Sequence, residues 1–490
     1  MSDLTPKQNS HDYDPFRASQ EVDPNDFRDH LATADKEGRR QWIYAKQPHG
    51  NWTRRREWLS LLLIGIMFAG PFIKINGNPL LLMNIVERRF SILGQLFWPQ
   101  DMVIFAVAML IFITGIIIFT TAYGRLWCGW TCPQTVMMEM VFRKLEYLIE
   151  GDAVEQRKLA AAPWTAVKVF KKVFKQAVFF VLSFIVANTL LAYIIGSEQL
   201  IEIITDDPRR HVTGLTFMIL FTLLFYAIFA RFREQACTFI CPYGRLQSTM
   251  LDENTMVVAY DHKRGEKRAK LQREVPLVHR IAKGHGDCVD CHQCVAVCPT
   301  GIDIRNGVQM ECVHCTACID ACDSVMDKVG SPRGLIRYAS LNSIEKGEPF
   351  RFTPRMKLYA GVLTALIALF LVLVFTRPVV EAILLRAPGA LFVRTDSGRI
   401  ENLYTLKLVN KTMRELPVEL RLENLPGQLE VMGDKNLIVP AGKLMQTSIL
   451  INLNATNLAG ATTRLKVGVY TGGKRVQTVK TVFAGPRTQE

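Results

Sequence analysis

The feature that most constrains this chain is a pair of cysteine runs between residues 288 and 322, which hold eight of its twelve cysteines. The first run has the spacing C-x2-C-x2-C-x3-C and is followed by Pro299, and the second run repeats the spacing from Cys312. Three thiolates this close together can wrap one corner of a cubane cluster. The chain cannot fold round the cluster within so few residues, so each run must take its fourth ligand from the other.

The double run has the spacing that two-cluster bacterial ferredoxins use to bind iron–sulfur clusters. It therefore predicts two [4Fe–4S] clusters with crossed ligation. The predicted ligands are Cys288, Cys291, Cys294 and Cys322 for one cluster, and Cys312, Cys315, Cys318 and Cys298 for the other.

The segment between the two runs, residues 302–311, reads IDIRNGVQME. Its alternation on both sides of Asn306 and Gly307 predicts a short β-hairpin, because Asn-Gly is the strongest short hairpin signal. Asp323 stands where the second run would carry proline. This departs from the ferredoxin pattern at one end of the crossover, but it removes no ligand.

Disulfides, zinc binding and haem attachment fit the cysteine runs less well. Disulfides are disfavoured on a cytoplasmic segment, where thiols stay reduced. Zinc sites use two cysteine pairs for each ion, unlike the triple-plus-one spacing found here. Cys288, Cys291 and His292 also spell the C-x-x-C-H haem attachment signature. That triplet lies inside a longer ferredoxin run, and haem attachment of this type takes place on the outer side of the membrane.

Apolar segments predict a membrane protein, because five runs are long enough to cross a bilayer of about 30 Å. They are residues 58–75, 102–122, 177–196, 214–230 and 358–376. A further apolar segment, residues 80–98, is interrupted by Glu87, Arg88 and Arg89. We expect it to form an interfacial amphipathic helix and not a span.

Basic residues predict the orientation of these spans. Lysine and arginine are frequent before the first span and between the second and third, and they are sparse between the third and fourth. The positive-inside rule then places the N-terminus and residues 123–176 and 231–357 in the cytoplasm, and residues 378–490 outside. The formal charge of +14 is spread beside apolar runs. Without one basic face, a nucleic-acid partner is not expected.

The two ends of the chain differ from its middle. Residues 1–50 are polar and rich in Asp and Arg, which predicts a disordered cytoplasmic tail. Residues 378–490 contain neither Cys nor His, and they alternate apolar and polar residues between frequent turn signals. This pattern is typical of an antiparallel β-sandwich.

The remaining four cysteines form two C-x3-C-P motifs, each just after a predicted span. They are Cys128 and Cys132, followed by Pro133, and Cys237 and Cys241, followed by Pro242. An i, i+4 spacing puts two thiols on one helical face, so two such faces could offer four sulfurs. Soft thiolates favour Cu(I), zinc or an Fe–S cluster. A dithiol that cycles with a disulfide, or plain buried cysteines, would also fit the spacing.

With the segments WCGWTCP and CTFICP and the double ferredoxin run, the chain resembles the CcoG/FixG/RdxA family of cytochrome c oxidase accessory proteins. The resemblance covers nearly the whole chain beyond the tail. It implies a multi-domain protein of the bacterial inner membrane: an α-helical bundle of about five spans, an inserted α+β dicluster ferredoxin-like domain and a C-terminal Ig-like sandwich. The implied domains are residues 1–50 (tail), 51–230 (spans one to four), 231–357 (ferredoxin), 358–376 (fifth span) and 378–490 (periplasmic sandwich).

The resemblance also implies a function, which is the assembly of a cbb-type oxidase through reduction of Cu(II) to Cu(I). Copper would bind at Cys128, Cys132, Cys237 and Cys241, and the eight ferredoxin cysteines would supply electrons from an unidentified donor. Oxidase subunits or copper chaperones are the implied partners. Two alternatives stay open: an electron conduit to a quinone or another membrane redox partner, and a non-enzymatic scaffold with structural clusters.

Overall fold

A computed structural model describes most of the chain. The described residues are 32–34, 37, 39–75, 78–84, 89–92, 95–97, 101–270, 284–389, 391–395, 398–412, 414–433, 437–458 and 460–486. Described helices of eight or more residues are Asn51–Ala69, Met102–Tyr123, Arg143–Glu150, Ala153–Ala161, Ala166–Ile195, Ser197–Thr205, Val212–Ala227, Pro242–Met250, Ala317–Val329 and Pro354–Phe375.

Four helices in the described part of the chain are long and apolar enough to cross a membrane, so this is a membrane protein. They are Met102–Tyr123, Ala166–Ile195, Val212–Phe232 and Pro354–Phe375. The first predicted span is not among them. It falls on the helix Asn51–Ala69, whose first half carries three arginines and whose second half alone is apolar.

The amphipathic helix expected at residues 80–98 is wrong for the described part of that segment. It forms three antiparallel strands, β3 (Leu81–Asn84), β4 (Arg89–Ile92) and β5 (Gln95–Phe97), which follow the short pair β1 (Lys74–Ile75) and β2 (Asn78–Pro79). Exposure alternates along β3 with a period of two. This is the spacing of a strand and not of a helix.

The ferredoxin-type region contains one two-stranded sheet, in which β6 (Val257–Tyr260) pairs antiparallel with β7 (Ile336–Ala339). The hairpin expected between the cysteine runs is wrong, because this segment forms a 3₁₀ turn at Ile304–Asn306. The Asp303 side chain accepts the backbone N–H of Arg305 and caps the turn. Ile302 and Ile304 are buried in the core and are not paired as strands.

Residues 39–50 depart from the predicted disordered tail, because they lie along the protein as an extended strap. Ala45 is buried, and its carbonyl accepts the Tyr147 hydroxyl at 2.9 Å. The backbone N–H of Lys46 donates to the Ala296 carbonyl at 2.7 Å. The strap thus contacts both a segment next to the membrane helices and the first cysteine run. The N-terminal part of the predicted tail lies outside the described residues.

The predicted C-terminal β-sandwich is confirmed. One sheet has the order β12–β14–β10–β8, with β9 also paired to β10, and the other has the order β13–β11–β15–β16. The strands are β8 (Val380–Arg386), β9 (Val393–Arg394), β10 (Arg399–Asn410), β11 (Leu416–Leu422), β12 (Gly427–Met432), β13 (Leu437–Val439), β14 (Leu444–Asn454), β15 (Thr462–Thr471) and β16 (Lys474–Ala484). Tyr404 is fully buried between the sheets, and its hydroxyl donates to the Val482 carbonyl.

A buried carboxylate, Glu146, ties three helical segments together. Both of its oxygens receive the guanidinium of Arg233, at 2.8 and 2.9 Å, and Lys175 Nζ lies 3.1 Å away. Burial alone would raise the pKa of Glu146, but the charge of Arg233 holds that pKa below its usual range. Glu146 is therefore ionised at neutral pH and fixes the ends of two membrane helices beside the helix Arg143–Glu150.

We predict that Arg233→Met lowers the stability of the protein at pH 7 by about 3–5 kcal/mol, because it leaves a buried carboxylate without its main partner. A depressed pKa contributes stability above the unfolded value of about 4.3, and that stability is lost as pH falls towards the folded pKa. The difference between variant and wild type should therefore shrink below about pH 4. Thermal unfolding of both proteins in detergent, from pH 7 to 3, measures this difference in stability.

Arg231→Met is the matched control, because its side chain is exposed at the end of the same helix. An equal loss of stability in this control would contradict the role given to Glu146.

A second buried ionic cluster lies at the start of helix Met102–Tyr123. Asp101 is 6% exposed, and its carboxylate accepts Arg377 Nε at 3.1 Å and Lys411 Nζ at 2.6 Å. Lys411 also lies 2.7 Å from Glu381. The cluster therefore connects the start of helix Met102–Tyr123 to the sandwich, which follows helix Pro354–Phe375 in the chain.

We predict that Asp101→Ala destabilises the C-terminal sandwich by about 3 kcal/mol, because two buried cations lose their shared carboxylate. The rate of limited proteolysis within residues 378–490 is the measurement. Glu419→Ala breaks an exposed pair with Arg421 at 2.8 Å and should leave that rate unchanged. Equal protease resistance of wild type and Asp101→Ala would refute the prediction.

Candidate functional site

The two cysteine runs adopt the same unusual backbone at matching positions. Asp290 and His314, each two residues after the first cysteine of its run, have φ of 51° and 53°. His292 and Thr316, each one residue after the second cysteine, have φ of 54° and 66°. Amino acids other than glycine avoid this left-handed region. The recurrence of four such residues indicates that the loops are shaped by what they surround.

The first cavity has an empty volume of about 330 Å³ and brings together four predicted ligands. They are Cys288, Cys291, Cys294 and Cys322. Arg305 lies beside this cavity and donates to Asp303 at 2.8 Å and to Asp290 at 2.6 Å. Its Nη2 is also 2.8 Å from His292 Nδ1. The arginine thereby ties the segment between the two runs to the first cysteine loop.

The second cavity, of about 350 Å³, brings together the other predicted set. This set is Cys298, Cys312, Cys315 and Cys318. Cys294 lines both cavities, so they are neighbours. Ile302 and Ile304, from the segment that forms a 3₁₀ turn and not a hairpin, complete the apolar wall. The structure thus groups the eight cysteines as crossed ligation requires, while their role as ligands stays a prediction.

Four of the thiols around these cavities are buried and four are half-buried, and burial changes their acidity. It raises the pKa of Cys312 and Cys322 to about 12 and that of Cys315 to about 11. At neutral pH such thiols stay protonated unless bound cations compensate the thiolate charge. An apolar cavity framed by four sulfurs fits a [4Fe–4S] cluster, which takes four thiolate ligands and supplies that charge.

The two C-x3-C-P motifs begin with the same break in the chain. Gly124, four residues before Cys128, has φ of 57°, and Arg233, four residues before Cys237, has φ of 50°. Each residue directly follows a candidate membrane span. The two segments are therefore repeated units in which a positive-φ residue ends the span and redirects the chain towards a cysteine.

The expectation that each pair of thiols shares one helical face is wrong. Cys132 and Cys241 are extended residues, with ψ of 123° and 111°, that precede new helices. Those helices begin at Pro133 and Pro242, because proline lacks the N–H that a first helical residue leaves unpaired and its φ already suits a helix. Each C-x3-C pair therefore spans a helix break.

The structure nevertheless brings the two pairs together. The thiol of Cys237 interacts electrostatically with those of Cys132, Cys128 and Cys241. Burial, reinforced by these neighbours, raises the pKa of Cys237 to about 12. Burial also raises the pKa of Cys128, although the guanidinium of Arg125 opposes the rise. We refer to these four residues as the motif cysteines.

Gln247 and Arg125 hold the first motif in place. The Gln247 side-chain oxygen lies 3.2 Å from the Cys128 sulfur and accepts Arg125 Nε at 3.0 Å, and both side chains are buried. Gly244 permits the second repeat to approach the first, because a Cβ atom there would lie 3.0 Å from Arg125 Nη2. The two motifs thus contact each other through Arg125, Gln247 and Gly244.

This arrangement limits how the motif cysteines could hold copper. Among the described residues, no three His, Cys, Asp or Glu side chains are grouped closely enough to hold one metal ion. A zinc-type site would need sulfurs about 2.3 Å from the ion. Copper binding therefore stays a prediction.

Several residues at this site were not found from the sequence. Gln247 and His314 have no motif of their own, and Tyr338 lies on β7, far from the cysteines along the chain. One signal was available, since His314 occupies the place in the second run that Asp290 occupies in the first. An aromatic or imidazole ring next to a cysteine loop is otherwise a common core feature.

Three known sequence families match the chain in consecutive segments. Residues 105–149 match a family described as "4Fe-4S binding domain", and residues 232–341 match "4Fe-4S dicluster domain". Residues 370–486 match "IG-like fold at C-terminal of FixG, putative oxidoreductase". The chain therefore has iron–sulfur domains, and its C-terminal sandwich is Ig-like.

Whole-chain relatives give the same result. Protein RdxA of Cereibacter sphaeroides is 34% identical over 91% of this chain and 98% of its own length. Nitrogen fixation protein FixG of Rhizobium meliloti is 33% identical over 79% of this chain and 80% of its own length. Protein RdxB of Cereibacter sphaeroides is 32% identical over 86% of this chain and 90% of its own length. Because these similarities run through the cysteine runs, both C-x3-C-P motifs and the C-terminal domain, this chain is a member of the FixG/RdxA family of membrane iron–sulfur redox proteins.

Proposed function

We propose that this protein reduces Cu(II) to Cu(I) during assembly of a cbb-type cytochrome c oxidase. One observation carries the proposal: Cys128 of the first motif and Cys315 of the second cysteine run are buried in the same small core, with Val297, Val313 and Ala317. A site for a soft metal thus adjoins a site for an electron-carrying cluster. Copper is the substrate here and not a resident cofactor.

The eight ferredoxin cysteines are the ligands of two [4Fe–4S] clusters in this proposal. When bound, such clusters supply one-electron transfer over potentials of about −700 to +450 mV. The apolar walls of both cavities keep water away from the sulfurs, and Arg305 holds the first loop by its contacts with Asp290 and Asp303.

The motif cysteines bind the copper. Soft thiolates prefer Cu(I), so they favour reduction of bound Cu(II) by one electron. The buried guanidinium of Arg125 next to Cys128 opposes the rise in the pKa of that thiol, so its charge favours the thiolate once copper binds. Gln247 keeps that sulfur oriented.

Membrane orientation and partners belong to the same proposal. The distribution of Lys and Arg supports a cytoplasmic position for residues 231–357 and a periplasmic position for residues 378–490. A cytoplasmic donor would then reduce the ferredoxin region. The Ig-like sandwich would contact oxidase subunits or copper chaperones on the other side.

A second candidate is an electron conduit without a copper role, in which the motif cysteines hold a further cluster. It is favoured by the family match described as 4Fe-4S binding, which includes Cys128 and Cys132. Iron and copper analysis of anaerobically purified protein separates the candidates. Copper uptake with the iron of two cubanes supports the first, and the iron of a third cluster without copper uptake supports the second.

We predict that replacing all four motif cysteines with alanine lowers Cu(II) reduction by the dithionite-reduced protein to the slow rate at which Cu(II) oxidises the clusters directly, because copper loses its thiolate ligands. The iron content of the two ferredoxin clusters should not change. Stopped-flow detection of Cu(I) with a chromogenic chelator is the measurement.

Thr131→Ala is the control for this experiment. It removes a hydroxyl from the turn between Cys128 and Cys132 but no sulfur, and it should reduce Cu(II) like the wild type. Undiminished Cu(I) formation by the quadruple variant would exclude the motif cysteines from the reaction.

A further inference from the structure

The two cavities differ in how they relate to the motif cysteines. The short helix Leu126–Trp130, which carries Cys128, lies directly on the second cysteine loop. A Cβ atom at Gly129 would lie 2.3 Å from the carbonyl oxygen of Val313 and 2.9 Å from that of His314. Backbone touches backbone at this point, so any larger residue would force the two segments apart.

Hydrogen bonds connect the same two segments. The backbone N–H of Arg125 donates to His314 Nδ1 at 3.1 Å, and the Arg125 guanidinium donates to the Met310 carbonyl.

Trp130, which lies between the two cysteines of the first motif, adds a second connection. Its indole N–H donates to the Tyr338 hydroxyl at 3.2 Å, and that hydroxyl donates to the His314 carbonyl at 3.2 Å. Two consecutive hydrogen bonds thus run from the first motif to the loop between Cys312 and Cys315.

The described contacts of the first cavity instead lead to the segment between the two runs, through Arg305, which donates to Asp290 and Asp303. The core that buries Cys128 includes one ferredoxin cysteine, Cys315, from the second set. The core with Tyr260, Met326 and Ile336 holds Cys288, Cys294 and Cys322 of the first set, together with Cys298, Cys312 and Cys318 of the second. The link from the first set to the motif cysteines passes through Cys294, which lines both cavities.

We propose that the two ferredoxin sites act in a fixed order. The site of Cys298, Cys312, Cys315 and Cys318 is the exit to the motif cysteines, with Trp130 and Tyr338 as positioning residues of the contact. The site of Cys288, Cys291, Cys294 and Cys322 is the entry. Each electron that leaves the exit site converts one Cu(II) to Cu(I), and an external one-electron donor replaces it.

This order rests on the proposed copper reduction, and two single-site variants test it. Cys291→Ala removes a ligand of the entry site, and Cys315→Ala removes a ligand of the exit site. Full-length protein is reduced with dithionite and freed of excess reductant. The EPR signal of the remaining reduced cluster is then followed after Cu(II) is added. The quadruple motif variant gives the background rate at which Cu(II) oxidises clusters directly.

We expect the remaining cluster of Cys291→Ala to be reoxidised at close to the wild-type rate. In Cys315→Ala the remaining cluster should keep its EPR signal and lose it only at the background rate. Reoxidation of Cys315→Ala at the wild-type rate would overturn the order while leaving copper reduction intact. Wild-type clusters that are oxidised no faster than background would overturn copper reduction and the order with it.

Tyr338→Phe tests the same order without removing a ligand. Loss of the hydroxyl breaks both hydrogen bonds, so reoxidation should become several-fold slower while the EPR line shapes and iron content stay unchanged. Tyr147→Phe is the matched control, because that hydroxyl also donates to a backbone carbonyl but lies away from the site. Equal rates in Tyr338→Phe and Tyr147→Phe would show that Tyr338 does not position the exit contact.

Discussion

The ferredoxin cysteines lie in apolar surroundings where a thiolate without a counter-charge is too costly to form, and the rest of the site follows from that constraint. Burial raises the pKa of Cys312, Cys315 and Cys322 well above neutrality. Only a bound cationic group makes these sulfurs stable as thiolates. If these cysteines bind the clusters as proposed, folding of the loops and loading of iron are coupled. Four residues hold left-handed backbone around the cavities.

The membrane region is built round a repeated break in the chain. A membrane helix ends, one residue with positive φ redirects the chain, and a cysteine follows four residues later. An extended cysteine then precedes a proline that starts the next helix. Since a helix break frees the chain to turn, each repeat presents its sulfurs from a turn and not from one helical face.

Buried ion pairs hold these segments in position. Glu146 joins Arg233 and Lys175, so the end of the second repeat's membrane helix is fixed to its neighbours. The strap at residues 39–50 contacts the same neighbourhood and also the first cysteine run. Removing one partner of a buried ion pair lowers the stability of the protein far more than an exposed ion pair raises it. The charged side chains of Glu146, Arg233 and Lys175 therefore have a structural role, although charged residues in a helical sequence usually indicate a solvent-exposed face.

Features that depend on local spacing could be predicted from the sequence. The ferredoxin runs, four of the five predicted spans and the C-terminal sandwich all follow from periodicities of a few residues. Other features depend on contacts between segments that are distant in the chain, and these are seen only in the folded protein. Residues 302–311 contain a 3₁₀ turn and not a hairpin, because Ile302 and Ile304 are buried at the second cavity. The described part of residues 80–98 forms strands because its segments pair with one another. The close contact of Gly129 with Val313 joins residues far apart in the chain, and no local pattern encodes such a contact.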